Sequence, residues 1–140
     1  MKVCLYENTI TVADYNNLRK SVGWTVLAEK QAQVGIDSSA CLVVANVDNI
    51  TVGMARLITD GGYIAFIADV MVLPKYQKNG IGKALMNMIM AHIQSNLEIG
   101  DCVYVGLMAS KGREDFYKHF GFDELPNDYL GAGMSKWITL

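Results

Sequence analysis

Charge of one sign is what this chain most lacks. Twelve Lys and Arg face fourteen Asp and Glu, and no run of like charge stands out. Neither nucleic acid nor an anionic membrane surface would find the basic patch it needs, so both are excluded as partners. Proline is scarce, at two residues, while apolar residues make up 51% of the chain; that balance argues against disorder. No apolar run reaches the ~18 residues of a membrane-spanning helix, and Met1-Lys2-Val3-Cys4-Leu5-Tyr6-Glu7 has no signal-peptide apolar core. Cysteine is sparse too. Cys4, Cys41 and Cys102 are an odd set that cannot close into disulfides, and all lie in strand-like apolar runs. They read as buried free thiols in a reducing compartment, and the expected location is the cytoplasm.

What is present is regular patterning. At 140 residues the chain is read as a single domain, 1–140, and a domain of about 150 residues buries ~70% of its unfolded surface. After a short strand over 3–6, Thr11 with Asp14 three residues on forms a capping-box variant, and Tyr15, Leu18 and Val22 fall at helical spacing until Gly23. A helix over 12–22 is predicted. Thr25 is expected to cap a second short helix carrying Leu27, Ala28, Gln31 and Val34 and ending near Gly35. From Ala40 the period changes. Strands over 40–47, 50–59 and 63–73 are joined by Asp48-Asn49 and Asp60-Gly61-Gly62, an antiparallel meander. The third strand is apolar on both faces, as expected of a central strand covered by helices, and Asp69 is its only charge. Pro74 stops it.

A long helix over 80–97 follows, with Lys83, Asn87, Gln94 and Glu98 on one face and Ile81, Leu85, Met86, Met88, Ile89 and Ile93 on the rest. His92 sits among the apolar residues and reads as a structural histidine. A strand over 102–108 should run parallel to the third strand through the crossover. A short helix over 111–120 is predicted to end at Gly121, Phe122 to open a closing strand or turn, and 134–140 to be a last strand.

Between the third strand and the long helix lies Gln77-Lys78-Asn79-Gly80-Ile81-Gly82-Lys83-Ala84. A strand, a glycine-containing loop and a helix start make an anion site, because freed backbone N–H groups and the helix dipole converge there. Two nucleotide motifs fail at this loop. A Walker A motif needs glycine where Gln77 stands and Ser or Thr where Ala84 stands; a dinucleotide fingerprint needs a third glycine at Leu85. The loop instead resembles the Q/R-x-x-G-x-G/A pyrophosphate loop of the Gcn5-related N-acetyltransferase (GNAT) family. Val70-x-Val72-x-Pro74 before it and Phe116-Tyr117-Lys118-x-Phe120-Gly121-Phe122 after it extend the match.

The resemblance implies an α/β (α+β) fold with a mixed, mostly antiparallel sheet of six or seven strands and about four helices. A splayed parallel strand pair would bind acetyl-CoA, the co-substrate. Its pyrophosphate would lie on the amides of Lys78, Asn79, Gly80, Ile81, Gly82 and Lys83, with Gln77 beside them. The pantetheine arm would pair with Val70, Met71 and Val72, and Ser110, Arg113, Phe116 and Tyr117 would complete the coenzyme site. Ser110 and Arg113 depart from the Asn and Ala that many members carry there.

The implied reaction moves an acetyl group to a primary amine, on a small molecule or a protein, by direct attack in a ternary complex. An alkyl amine with a pKa near about 10 must lose a proton, and the departing thiolate benefits from an acid. Asp69, in an apolar strand beside the thioester position, is the candidate base; the alternative is that it only hydrogen-bonds backbone or a neighbouring loop. Tyr117 matches the family tyrosine that protonates the thiolate. No metal is expected, since His119 reads as solvated and has no partner at ligand spacing. Trp24, Arg56, Tyr129 and Met134 are candidate acceptor contacts. Homodimers are common in the family. A non-catalytic acyl-CoA sensing module is the competing reading, one that would need neither Asp69 nor Tyr117.

Overall fold

A computed structural model describes all residues, 1–140. They form two compact units, Met1–Gly106 and Leu107–Leu140. Within the first, β1 (Val3–Glu7), α1 (Val12–Ser21), α2 (Glu29–Asp37), β2 (Cys41–Val47), β3 (Ile50–Thr59), β4 (Ile64–Val72) and α3 (Ile81–Ser95) follow in order. The last strand, β5 (Tyr104–Leu107), ends at the unit boundary, and the second unit carries α4 (Glu114–Lys118).

The five strands lie in the order β1-β2-β3-β4-β5. The first four are antiparallel neighbours, and β4 and β5 are a parallel pair. Asp48 and Asn49 turn β2 into β3 with φ of 49° and 62°, the left-handed pair that a tight hairpin requires. At the start of α1 the Thr11 hydroxyl accepts from the Asp14 amide at 3.1 Å, as its spacing predicts.

Each face of the sheet has its own helices. Tyr15 and Leu18 of α1 and Ala32 of α2 pack with Leu42, Val44, Met54 and Met71. On the other face α3 buries Ile81, Leu85, Met86, Ile89 and Ile93, and it packs against β2, β3 and β4. Each such side chain contributes about 1.5–3 kcal/mol on burial, which fixes the N-terminus of α3 against the sheet. Gly53 makes that approach feasible. A Cβ there would stand 2.9 Å from the Met71 carbonyl oxygen and 3.3 Å from Leu85 Cδ1.

Several expectations need correction. Five strands form instead of six or seven. Residues 134–140 do not enter a strand, since β-propensity alone does not make a strand without a neighbouring edge to bond; Trp137 and Ile138 are instead exposed. α2 begins at Glu29 with Ala28 as its N-cap and no side-chain cap; Thr25 lies before it, its carbonyl accepting from Arg19 Nε at 2.6 Å. β4 is not covered on both faces. Its Ile64 and Phe66 are exposed, because the α1 and α2 cluster reaches Met71 and Leu73 but not the start of the strand. Cys102 is exposed and Cys4 half-buried; of the thiols, only Cys41 is buried.

Candidate active site

β4 ends at Val72, and Pro74–Tyr76 makes one 3₁₀ turn before α3. Gln77 Nε2 donates to the Val72 carbonyl at 2.9 Å, and Asn79 Nδ2 donates to the carbonyls of Tyr76 and Gln77 at 3.1 and 3.0 Å. Side chains therefore hold the loop from within. Lys78 and Gly80 both take left-handed φ, 63° and 77°, which reverses the chain onto the helix. Gly80 is the N-cap and lends no side chain. The bond from the Ala84 amide to the Gly80 carbonyl, 3.0 Å, opens the helix ladder. Upstream of it the N–H groups of Ile81, Gly82 and Lys83 have no acceptor inside the helix. No acidic residue stands in the first turn, and Lys78 and Lys83 are exposed. The result is a backbone anion cradle of positive potential.

Just before this loop the sheet is irregular. Met54 pairs with Met71 and Arg56 with Ala68, so Asp69 and Val70 together oppose Ala55 in a β-bulge. Asp69 adopts φ 53° there. Its carboxylate accepts from three side chains: Tyr15 Oη to Oδ2 at 2.5 Å, Arg56 Nε to Oδ2 at 2.6 Å and Arg19 Nη1 to Oδ1 at 3.1 Å. Arg56 Nη1 continues to the Gly35 carbonyl at 3.1 Å. The Arg19 guanidinium lies 5.8 Å from the Tyr15 ring centroid and 5.7 Å from that of Trp24. One carboxylate thus ties α1, the end of α2 and β3 to the bulge. Burial, then the hydrogen bond to Asp69, push the Tyr15 phenol above its usual pKa.

Beyond the bulge, β4 outruns its parallel neighbour. The Tyr104 amide donates to the Tyr63 carbonyl at 2.6 Å, level with the start of β4, and β5 has four residues against nine. Val70, Met71 and Val72 therefore lie past the end of β5.

The remaining expected residues are in the second unit. Tyr117 is buried on α4, edge-on to Phe116 at 4.9 Å and to Phe122 at 6.4 Å. Phe116 also meets Phe120 at 5.4 Å. Burial raises the Tyr117 pKa and the Arg113 charge partly offsets it, so the phenol is a proton donor at neutral pH. Ser110 and Arg113 form the turn into α4, the Arg113 amide donating to the Ser110 carbonyl at 2.9 Å. His119 is exposed.

Among the candidate acceptor contacts, Arg56 and Trp24 join the Asp69 cluster. Tyr129 and Met134 are 93% and 94% exposed. Sequence reasoning assigned Tyr15 to the apolar stripe of α1 and missed Arg19 altogether. The available signal was an arginine one turn after Tyr15 on an otherwise apolar face. His92 is half-buried and lines a separate cleft of about 620 Å³ with Tyr63, Asn96 and Cys102. The Cys41 thiol is pushed up by burial and then by Glu7, which makes it a poor nucleophile. No three His, Cys, Asp or Glu side chains converge as metal ligands, and no helix is long and apolar enough to cross a membrane.

Comparison with known proteins gives a consistent result. A family model of the acetyltransferase (GNAT) domain matches residues 38–124. The uncharacterized N-acetyltransferase ycf52 of Gracilaria tenuistipitata var. liui is 31% identical over 130 residues, covering 90% of this chain and 69% of that one. A Staphylococcus aureus structure described as a probable acetyltransferase superposes with a TM-score of 0.85 at 29% identity, covering 96% of this chain and all of that one. A GNAT-family acetyltransferase of Streptococcus pneumoniae superposes with a TM-score of 0.79 at 28% identity, covering 99% and 98% of the two chains.

Proposed function

Since the chain belongs to the GNAT family of N-acetyltransferases, which uses acetyl-CoA, we propose that residues 1–140 act as one acetyltransferase domain that transfers an acetyl group to a primary amine by direct attack in a ternary complex. The observation that carries this reading is the loop of residues 77–83, with left-handed Gly80 as its N-cap and no acid in the first turn of α3. That arrangement suits a pyrophosphate on the amides of Lys78, Asn79, Gly80, Ile81, Gly82 and Lys83. The backbone of Val70, Met71 and Val72, past the end of β5, is assigned to the pantetheine arm. Gln77, Ser110, Arg113 and Phe116 are assigned to the coenzyme from their places in the family pattern.

In the reaction the neutral amine attacks the thioester carbonyl, the tetrahedral adduct collapses with cleavage of the C–S bond, and the amide nitrogen gives up a proton. The thiolate takes its proton from Tyr117, whose phenol is kept protonated by burial. No cysteine nucleophile takes part. Asp69 was the expected base. Its oxygens already accept from Arg19, Arg56 and Tyr15, which supports a positioning role at the bulge, with the amine proton leaving through water.

The test is thiol release from acetyl-CoA in the presence of a panel of amines, amino acids, polyamines, aminoglycosides and peptides. The proposal requires at least one acceptor to raise thiol release well above background hydrolysis, with an acetylated product by mass spectrometry. Tight acetyl-CoA binding with no productive acceptor would mark a sensing module instead.

A further inference from the structure

The side chains at the β4 bulge carry more positive than negative charge. Arg19 and Arg56 share one carboxylate, Asp69, and neither forms another ion pair. Their other acceptors are neutral: the Thr25 carbonyl for Arg19, and the Gly35 carbonyl and Ser39 hydroxyl for Arg56. The Tyr15 phenol adds no negative charge, being held in its neutral form by burial and by Asp69. A net positive charge is left on side chains only 9%, 15% and 8% exposed, for Arg19, Arg56 and Asp69. A cation so little hydrated is costly unless an anion meets it.

Two donors remain to meet one. Neither Arg19 Nη2 nor Arg56 Nη2 donates to any group of the chain. Arg56, the more exposed of the two, faces a glycine. A Cβ at Gly35 would lie 3.8 Å from its Nη2, an ordinary packing distance. The cluster also adjoins Val70, Met71 and Val72 in sequence, the stretch assigned to the pantetheine arm.

We propose that the Arg19–Asp69–Arg56 cluster recognises a carboxylate on the acceptor, with Arg56 as the principal contact, so that the enzyme acetylates amines that also carry a carboxylate. The inference rests on the acetyl-transfer reading and narrows its acceptor class. Polyamines and aminoglycosides, which bring only positive charge to a positive cluster, are disfavoured. With Arg56 Nε engaged by Asp69 and Nη1 by Gly35 and Ser39, the free Nη2 is the group that would donate a charge-assisted hydrogen bond to that carboxylate.

Matched acceptors test this with the unmodified protein. Leucine, phenylalanine and tyrosine are each compared with the amine lacking only the α-carboxylate, and β-alanine with ethylamine; spermidine serves as the polycation. The carboxylate member should have the higher kcat/KM by about tenfold or more, expressed mainly in KM. In Arg56→Gln the ratio should fall to within about threefold of unity. Acetylation of the plain amines or spermidine as well as, or better than, their carboxylate partners overturns the inference while acetyl transfer stands. So does an undiminished ratio in Arg56→Gln. Absence of thiol release from every acceptor removes the acetyl-transfer reading and this inference with it.

Discussion

The loop of residues 77–83 and the cluster around Asp69 lie a few residues apart in the chain and handle charge in opposite ways. The loop offers an anion only backbone: amides freed at a helix start, a left-handed glycine and no acid nearby. Its internal bonds, from Gln77 and Asn79, go to carbonyls and leave the helix-start amides alone. The cluster is made of side chains drawn from α1, β3 and β4, and its carboxylate is already engaged by three donors. A backbone cradle is generic and suits a donor common to a whole family. Long side chains anchored across several elements can be exchanged singly, and that suits an acceptor that differs from member to member.

Breaking the cluster should have the largest effect. Asp69→Ala leaves two guanidiniums without a counter-ion in a nearly dry site, and a loss of about 3–5 kcal/mol in denaturant unfolding is expected. Asp69→Asn sharpens the point for catalysis: if Asp69 positions and does not take the proton, the low-pH limb of the pH–rate profile, the one a general base sets, survives in the variant although the rate falls. Loss of that limb would restore Asp69 as the base. Tyr117→Phe should lower kcat about 100-fold with little change in acetyl-CoA affinity. Because burial raises the Tyr117 pKa, the wild-type rate should hold through neutral pH and decline only above the ordinary tyrosine range near about 10, as the acid is lost.

The loop should respond more mildly and through one substrate. A Cβ at Gly80 meets no atom within 4 Å, so the strain of Gly80→Val is torsional, at φ 77°. About 1–3 kcal/mol follows from that strain, and a KM for acetyl-CoA raised about tenfold while the amine KM moves little. The smallest effect belongs to Tyr15→Phe, about 1–2 kcal/mol of stability at neutral pH from the lost bond to a carboxylate. Its pH dependence has a definite sign. The folded-state pKa of Tyr15 lies above its unfolded value, so the stabilisation is full below the unfolded pKa and fades as pH rises through the folded one. Thermal unfolding of the two proteins should therefore converge at strongly alkaline pH.

The same contrast explains what could be read from sequence. The anion loop was legible because a backbone site imposes residue types locally: proline to stop the strand, glycine at a left-handed position, an apolar helix face after it. The meander was legible from Asp48-Asn49 and Asp60-Gly61-Gly62. The cluster was not, because Tyr15, Arg19, Arg56 and Asp69 are distant in the chain and converge only through the bulge, which no local pattern announced. Asp69 stood out as the lone charge of β4, yet its partners decide its role, and the search for a base had no means to see two arginines. Thr25 and 134–140 misled for a related reason, since capping and strand potential were read without knowing where the helix begins or which edge was available.

Direct attack, with both substrates held together, is the claim on which the donor and acceptor assignments both depend. Initial rates measured while acetyl-CoA and a productive amine are varied independently test it most directly. Double-reciprocal lines that intersect are predicted, with no acetylated protein detected when acetyl-CoA is supplied alone. Parallel lines, together with an acetyl group covalently held by the protein, would contradict it.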